Sequence, residues 1–189
     1  VLAGCEQTDD ELVRRVAGKD TLALKVLFVR YHDNVFKYIF RLLRDEAVAE
    51  EIANEVFLKL WQGAATFEGR SAVWPWLLAV ARTSALRYAR KRRDVALEDG
   101  VAETLVDQAD TPSESMLKSD KARLLQSCID NLSRQHREII ELVYFHEKTV
   151  KEVAAILDIP GNTVKTRMFY ARKRLSEIAR RQGLERGWP

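Results

Sequence analysis

The sequence predicts an all-α protein: two small helical domains joined by a flexible acidic linker, the second domain carrying a helix-turn-helix. Three observations predict it. Apolar residues recur at helical spacing from Thr8 to Arg93, and no segment alternates convincingly with period two. Between Asp94 and Lys118 that periodicity dissolves into a stretch with seven acids and one base. Beyond it, short apolar stripes are punctuated by Ser133, Thr149 and the turn "IPGN" at residues 159–162.

The first helix is "TDDELVRRVAGKD", with Thr8 or Asp9 as N-cap, Leu12, Val13 and Val16 as its apolar stripe and Gly18 as its stop. "TLALKVLFVRYHDNVFKYIFRLL" follows, with Leu24, Leu27, Phe28, Tyr31, Val35, Tyr38, Ile39 and Leu42 at helical spacing. A third helix starts at an Asp45 cap, buries Val48, Ile52, Val56 and Leu60, and ends at Gly63. "AATFEGRSAV" (Ala64 to Val73) reads as a loop, and "WPWLLAVARTSALRYARKRR" as a helix with Pro75 near its start. After the connector, a cap at Ser119 or Asp120 opens "KARLLQSCIDNL", Ser133 caps "RQHREIIELVYFHE", and Thr149 caps "VKEVAAILD".

The last helix, Thr163 to Leu175, follows "IPGN". Pro160 cannot continue the preceding helix, Gly161 frees the backbone, and Asn162 or Thr163 can cap the next one. Ala154 and Ala155 leave room for close crossing, so the pair has the layout of a helix-turn-helix. At about 100° per residue, Val164, Met168, Ala171 and Leu175 share one arc, and Thr166, Phe169, Tyr170 and Lys173 the opposite one. Lys165 and Arg172 flank one side of that outer arc, Arg167 and Arg174 the other. Cations neutralise phosphates, while threonine and aromatic side chains pack on thymine methyls and base edges, so this face points to DNA. The alternative is that Phe169 and Tyr170 pack on a neighbouring helix and the cations are merely solvated.

Arg82 to Arg93 holds six bases in twelve residues and no acid, just after Phe67, Trp74 and Trp76. Such a neighbourhood suits single-stranded nucleic acid, although Trp76 reads better as a core residue than as a stacking platform. Net charge is +4 over residues 1–93, −6 over 94–118 and +5 over 119–189, so two basic blocks flank an acidic connector. No run approaches the roughly 18 apolar residues of a membrane span, so no membrane insertion is expected. Cys5 and Cys128 make neither a disulfide framework nor a metal-ligand spacing, which points to the cytoplasm and to no cofactor. "LAGC" (Leu2 to Cys5) reads as an unstructured leader rather than a lipoprotein processing site. No phosphate-cradling glycine loop or nucleophile motif marks an enzyme, and His32, His136 and His146 have no obvious metal partners.

The segments "DDELVRRVAGKD…ALKVLFVRYHDNVFKYIFRLL", "AEEIANEVFLKLW", "FEGRSAVWPWLLAVARTSALRYARKRR" and "LSRQHREIIELVYFHEKTVKEVAAILDIPGNTVKTRMFYARKRL" occur here in that order. Together they resemble the extracytoplasmic-function sigma factors of bacterial RNA polymerase, across nearly the whole chain. The resemblance implies a leader (1–9), a sigma-2 domain (10–93), a linker (94–118), a sigma-4 domain (119–182) and a tail (183–189). It implies that Glu51, Asn54, Glu55 and Leu58 dock on core polymerase, with Asn54 where the family often has Gln. It implies that Phe67, Arg82, Thr83, Arg87, Arg90, Lys91 and Arg92 engage the minus-ten element. Thr83 stands where Asn is frequent, and Arg87 where Asp or Asn is. Thr163, Lys165, Thr166, Arg167, Phe169, Tyr170 and Lys173 would read the minus-thirty-five element, Tyr170 standing where Arg is frequent. The implied partners are core polymerase, promoter DNA and an anti-sigma factor, with no catalysis by the chain itself. A homodimeric helix-turn-helix repressor is the rival; it predicts tight palindrome binding without polymerase.

Overall fold

A computed structural model describes residues 7–67, 72–98 and 120–182. The chain divides between residues 103 and 104 into two compact units. Among the described residues there is no strand. "LAGC", most of the acidic connector and the tail lie outside the described residues.

In the first unit, α1 (Asp9–Ala17) opens on a reciprocal cap: Glu11 N–H donates to Thr8 Oγ1 and Thr8 N–H to Glu11 Oε2. This helix takes in Asp9, the last residue of the expected leader. Helix α2 (Thr21–Leu43) starts at Asp20, whose Oδ1 accepts from the N–H of Leu22 and Ala23, and stops at Arg44 in the left-handed region. Asp45 then caps α3 (Glu46–Gly63) as expected, accepting from Val48 N–H.

A 3₁₀ turn (Ala64–Thr66) follows, so part of the expected loop is helical. Helix α4 runs Val73–Glu98. It passes the expected end at Arg93, and the first residues of the expected linker are helical.

The core of this unit is formed by Leu12, Val13 and Val16 of α1 with the expected α3 stripe and the inner faces of α2 and α4. On α2, Leu27, Val35, Tyr38 and Ile39 are buried as expected, but Ala23 takes the innermost place instead of Leu24, which is half-buried. Three contacts fix the direction of α3 against α2. Lys19 Nζ donates to the Trp61 carbonyl, the rings of Phe28 and Phe57 lie 4.9 Å apart, and His32 Nε2 lies 3.3 Å from Glu50 Oε1. One partner's number rises as the other's falls, so the helices are antiparallel.

The second unit contains α5 (Asp120–Asp130), α6 (Arg134–Ile140), α7 (Val150–Leu157) and α8 (Gly161–Arg181). Cys128, Ile129, Leu132, Ile140, Ala171, Leu175 and Ile178 form its core cluster. Two details depart from expectation. Ser133 occupies the N-cap of α6 without a side-chain cap bond; Arg137 holds the junction by donating to the carbonyls of Asp130 and Leu132. The helix expected to run through His146 widens after Ile140 into a π turn, Glu141–Phe145, closed by His146 N–H on the Glu141 carbonyl.

Candidate nucleic-acid interface

Helix α7 begins as predicted. Thr149 Oγ1 accepts from Glu152 N–H, and Glu152 Oε2 accepts from Thr149 N–H at 2.8 Å. Burial works against the Glu152 charge, but the Thr149 hydrogen bonds and the Lys148 ammonium outweigh it, and its carboxyl sits below the usual range.

The turn itself is built differently from the expectation. Asp158, with φ 53°, takes the left-handed position, while Gly161 is already the first residue of α8. A Cβ at Gly161 would meet only Val150 Cγ1 at 3.9 Å, so the backbone does not require glycine there. Neither Asn162 nor Thr163 caps α8. Pro160 occupies the N-cap, and its carbonyl accepts from Val164 N–H. Nor do Ala154 and Ala155 form the inner face of α7: Val153, Ile156 and Leu157 are buried and Ala155 is exposed.

On α8 the inner face is Val164, Ala171, Leu175 and Ile178, with Met168 half-buried. The outer face holds Thr166, Phe169, Tyr170 and Lys173, with Phe169 58% and Tyr170 53% exposed. Their two rings meet edge to face at 5.4 Å, so they support each other and neither is covered by a core. Lys165 and Arg172 are exposed beside them; Arg167 and Thr163 are half-buried. Arg174 is neutralised by Glu177 at 3.1 Å, but Lys165, Arg167, Arg172 and Lys173 make no ion pair among the described residues. Thr166 donates its hydroxyl proton to the Asn162 carbonyl, which leaves its methyl and oxygen lone pairs for a ligand.

On α4, Thr83, Arg87, Arg90 and Lys91 fall at i, i+4, i+7 and i+8 and are exposed, so they form one row. Arg82 lies beside that row, half-buried, whereas Arg92 is exposed on the opposite side. Thr83 donates to the Ala79 carbonyl and is thus left as an acceptor. The aromatics before this row largely satisfy one another. Trp74 stacks on Tyr31 at 5.2 Å and 10°, and Phe67 meets Trp76 edge-on at 6.0 Å. Burial, then the bond to Asp9, pushes the Tyr31 hydroxyl up to about 12, so it remains a donor to Asp9.

On α3, Glu51, Asn54 and Leu58 lie at i, i+3 and i+7 and are exposed. Glu55 stands apart, half-buried and paired with Lys59 at 2.7 Å. Sequence reasoning missed Glu50, whose Oε1 accepts from Asn54 Nδ2 at 3.3 Å and lies 3.3 Å from His32 Nε2 without a hydrogen bond between them. The signal was its place one turn before Asn54. Among the described residues no three His, Cys, Asp or Glu side chains are grouped to hold a metal, and no helix is long and apolar enough to cross a membrane. Cys128 is buried, donates to Gln182 Oε1 and has its thiol pushed up by burial.

Residues 27–95 match Sigma-70 region 2, and residues 122–175 match Sigma-70, region 4. The RNA polymerase sigma-H factor of Pseudomonas aeruginosa is 27% identical, covering 91% of this chain and 94% of its own. The ECF RNA polymerase sigma-E factor of Haemophilus influenzae is 31% identical, covering 88% and 92%. Mycobacterium tuberculosis SigK, an ECF RNA polymerase sigma factor, is 31% identical over 84% and 87%. Among solved structures, the sigma factor RpoE of Bartonella quintana, in complex with the anti-sigma factor NepR, superposes with TM-score 0.71 at 21% identity, covering 82% of this chain and 96% of that one. CnrH in complex with the cytosolic domain of CnrY gives 0.65 at 20%, covering 91% and 97%. These two likenesses show the fold.

Proposed function

Since the chain belongs to the extracytoplasmic-function sigma factors of the sigma-70 family, we propose that three of its surfaces divide the work of promoter-specific initiation. The chain directs core RNA polymerase to promoters; it has no catalysis of its own and acts in the cytoplasm. Helix α8 reads the minus-thirty-five element. Lys165 and Arg167 approach base edges and phosphates, Thr166, Phe169 and Tyr170 pack on thymine methyls, Thr163 sits at the entry of the helix, and Lys173 holds a phosphate.

Helix α4 and Phe67 serve the minus-ten element. Opening the duplex there costs a few kcal/mol per unstacked base, offset by phosphate contacts from Arg87, Arg90 and Lys91, with Arg82 beside them. Thr83, as an acceptor, favours a base that presents an amino group. Arg92 contributes charge from the other side of the helix. Glu51, Asn54, Glu55 and Leu58 on α3 dock on core polymerase. An anti-sigma factor holds the chain inactive, a reading supported by the two solved neighbours, each in complex with such a factor or with a cytosolic domain.

The observation that carries this reading is the outer face of α8, where two exposed aromatics sit among cations that have no ion pair among the described residues. The repressor alternative has no support among the similar proteins, which are sigma factors over most of their length. Gel shifts with reconstituted holoenzyme test the assignment. Lys165→Ala and Arg167→Ala each weaken promoter binding, by roughly 1–3 kcal/mol where a base contact is lost. Unchanged binding by both variants would remove α8 from this role.

A further inference from the structure

Helix α4 carries the row assigned to the minus-ten element on its outside and packs its inside against α3. The inner stripe begins with Leu77 and Leu78, but level with the head of the row it turns small: Ala81, Ser84 and Ala85 are 0%, 5% and 0% exposed. Packed helices fix their roll by interdigitating side chains, and methyl groups with one hydroxyl offer little to interdigitate. A polar attachment stands there instead. Lys59 of α3 donates to Ser84 Oγ at 2.7 Å, and the carboxylate of Glu55, one turn before Lys59, holds the same ammonium at 2.7 Å. Hydrogen bonds with a charged partner are short and strong, so this relay ties Ser84 to α3. Alanine at position 84 would pack as Ala81 and Ala85 do and would need no partner, so packing alone does not call for the pair.

Ser84 is the chain neighbour of Thr83, which heads the outer row. Thr83 is exposed and donates its hydroxyl proton to the Ala79 carbonyl, so towards a ligand it is an acceptor. Arg87 follows one turn later, also exposed. The roll of α4 about its own axis therefore decides where both groups point. At a helix radius of about 5–6 Å with side chains, a roll of about 20° displaces a tip on the surface by about 2 Å. A hydrogen bond to a base edge needs its partners at about 2.7–3.2 Å, so such a roll breaks or redirects it.

We propose that Lys59 is a positioning residue for base selection at the minus-ten element: through Ser84 it sets the roll of α4, and with it the place of the Thr83 oxygen. This inference rests on the minus-ten reading of α4 above. Glu55 contributes by holding the ammonium on the α3 side, and Lys59 is the member of the relay that crosses between the helices. Lys59 makes no base contact itself; it acts through α4.

The test uses the full chain reconstituted with core polymerase, at a temperature where circular-dichroism melts show every variant folded. Affinity is measured for a promoter set in which each minus-ten and minus-thirty-five base is replaced in turn. Thr83→Val removes the acceptor, and the position at which it abolishes the wild-type preference is the one Thr83 reads. Lys59→Met and Ser84→Ala should each reduce the preference at that position at least threefold and leave the minus-thirty-five preferences within twofold of wild type. Lys59→Met/Ser84→Ala should lose no more than Lys59→Met alone, and Lys59→Met added to Thr83→Val should change that position no further. A lysine that served stability alone would lower affinity for every promoter equally and leave the preference intact, which would overturn the inference. If Thr83→Val relaxes one position while Lys59→Met and Ser84→Ala stay within twofold of wild type there, the inference fails and the minus-ten reading survives. If Thr83→Val relaxes no position, Lys59 has no base contact to position, and the assignment of Thr83 falls together with the inference.

Discussion

Lys59 of α3 reaches Ser84 of α4, its ammonium 2.7 Å from the hydroxyl oxygen and 2.7 Å from the Glu55 carboxylate on its own helix. Ser84 is 5% exposed, so this ammonium makes a buried polar link between the helix assigned to docking and the helix assigned to promoter opening. Lys59→Met keeps the apolar stem and deprives the buried hydroxyl of this partner. A hydrogen bond to a charged group contributes about 1.5–3 kcal/mol, so urea unfolding should show a loss within or below that range. In the Lys59→Met background, Ser84→Ala should then cost little; a full additive cost would mean that the two side chains are not coupled.

Phe169 and Tyr170 are exposed and lie outside the core cluster, so their replacement should separate recognition from stability. Phe169→Ala and Tyr170→Ala should each leave the unfolding midpoint within about 0.5 kcal/mol of wild type and weaken promoter binding. If thymine methyls are their partners, uracil for thymine in the minus-thirty-five element should weaken wild-type binding and leave the double variant unaffected. Equal sensitivity of both proteins to uracil would remove the aromatic pair from methyl contact.

Two helix caps make the fold acid-sensitive. The Asp20 carboxyl is held below its ordinary 3.8 by hydrogen bonding to Arg15 and then by the Ala23 N–H, and Glu152 is held below its ordinary 4.5. A carboxyl depressed in the folded state binds fewer protons there than when unfolded. Its contribution is therefore present above the ordinary value and lost as pH falls through the folded value. Melting temperature should drop as pH falls below about 4, and Asp20→Asn with Glu152→Gln should flatten that drop. An unaltered pH profile in the double variant would place the acid-sensitive groups elsewhere.

Gly161 is helical and has room for a Cβ. Gly161→Ala should stabilise the chain by about 0.4–1 kcal/mol in thermal melts by narrowing the unfolded ensemble. Destabilisation by a comparable amount would show that the turn needs glycine after all.

Residues whose role depends only on near neighbours in the chain were legible from sequence. Thr8, Asp45 and Thr149 cap helices because each lies just before an apolar stripe, and Thr8 and Thr149 also have Glu at the third helical position. The outward face of α8 followed from spacing alone, since buried and exposed positions there differ in chemistry. Where tertiary contacts decide, the sequence was silent or misleading. Ser133 looks like a cap, but Arg137 takes over the junction by reaching back to Asp130 and Leu132. The π turn after Ile140 has no local marker. The exposure of Leu22, Val26 and Val29 on α2 was hidden because "LALKVLFV" is apolar on both faces, and periodicity cannot say which face the core takes.

Run-off transcription from genomic fragments, with purified core polymerase and with or without this chain, tests the central claim most directly. The account predicts discrete transcripts that require the chain and disappear with Lys165→Ala/Arg167→Ala. A chain that binds core polymerase but yields the same transcripts as core alone would contradict it.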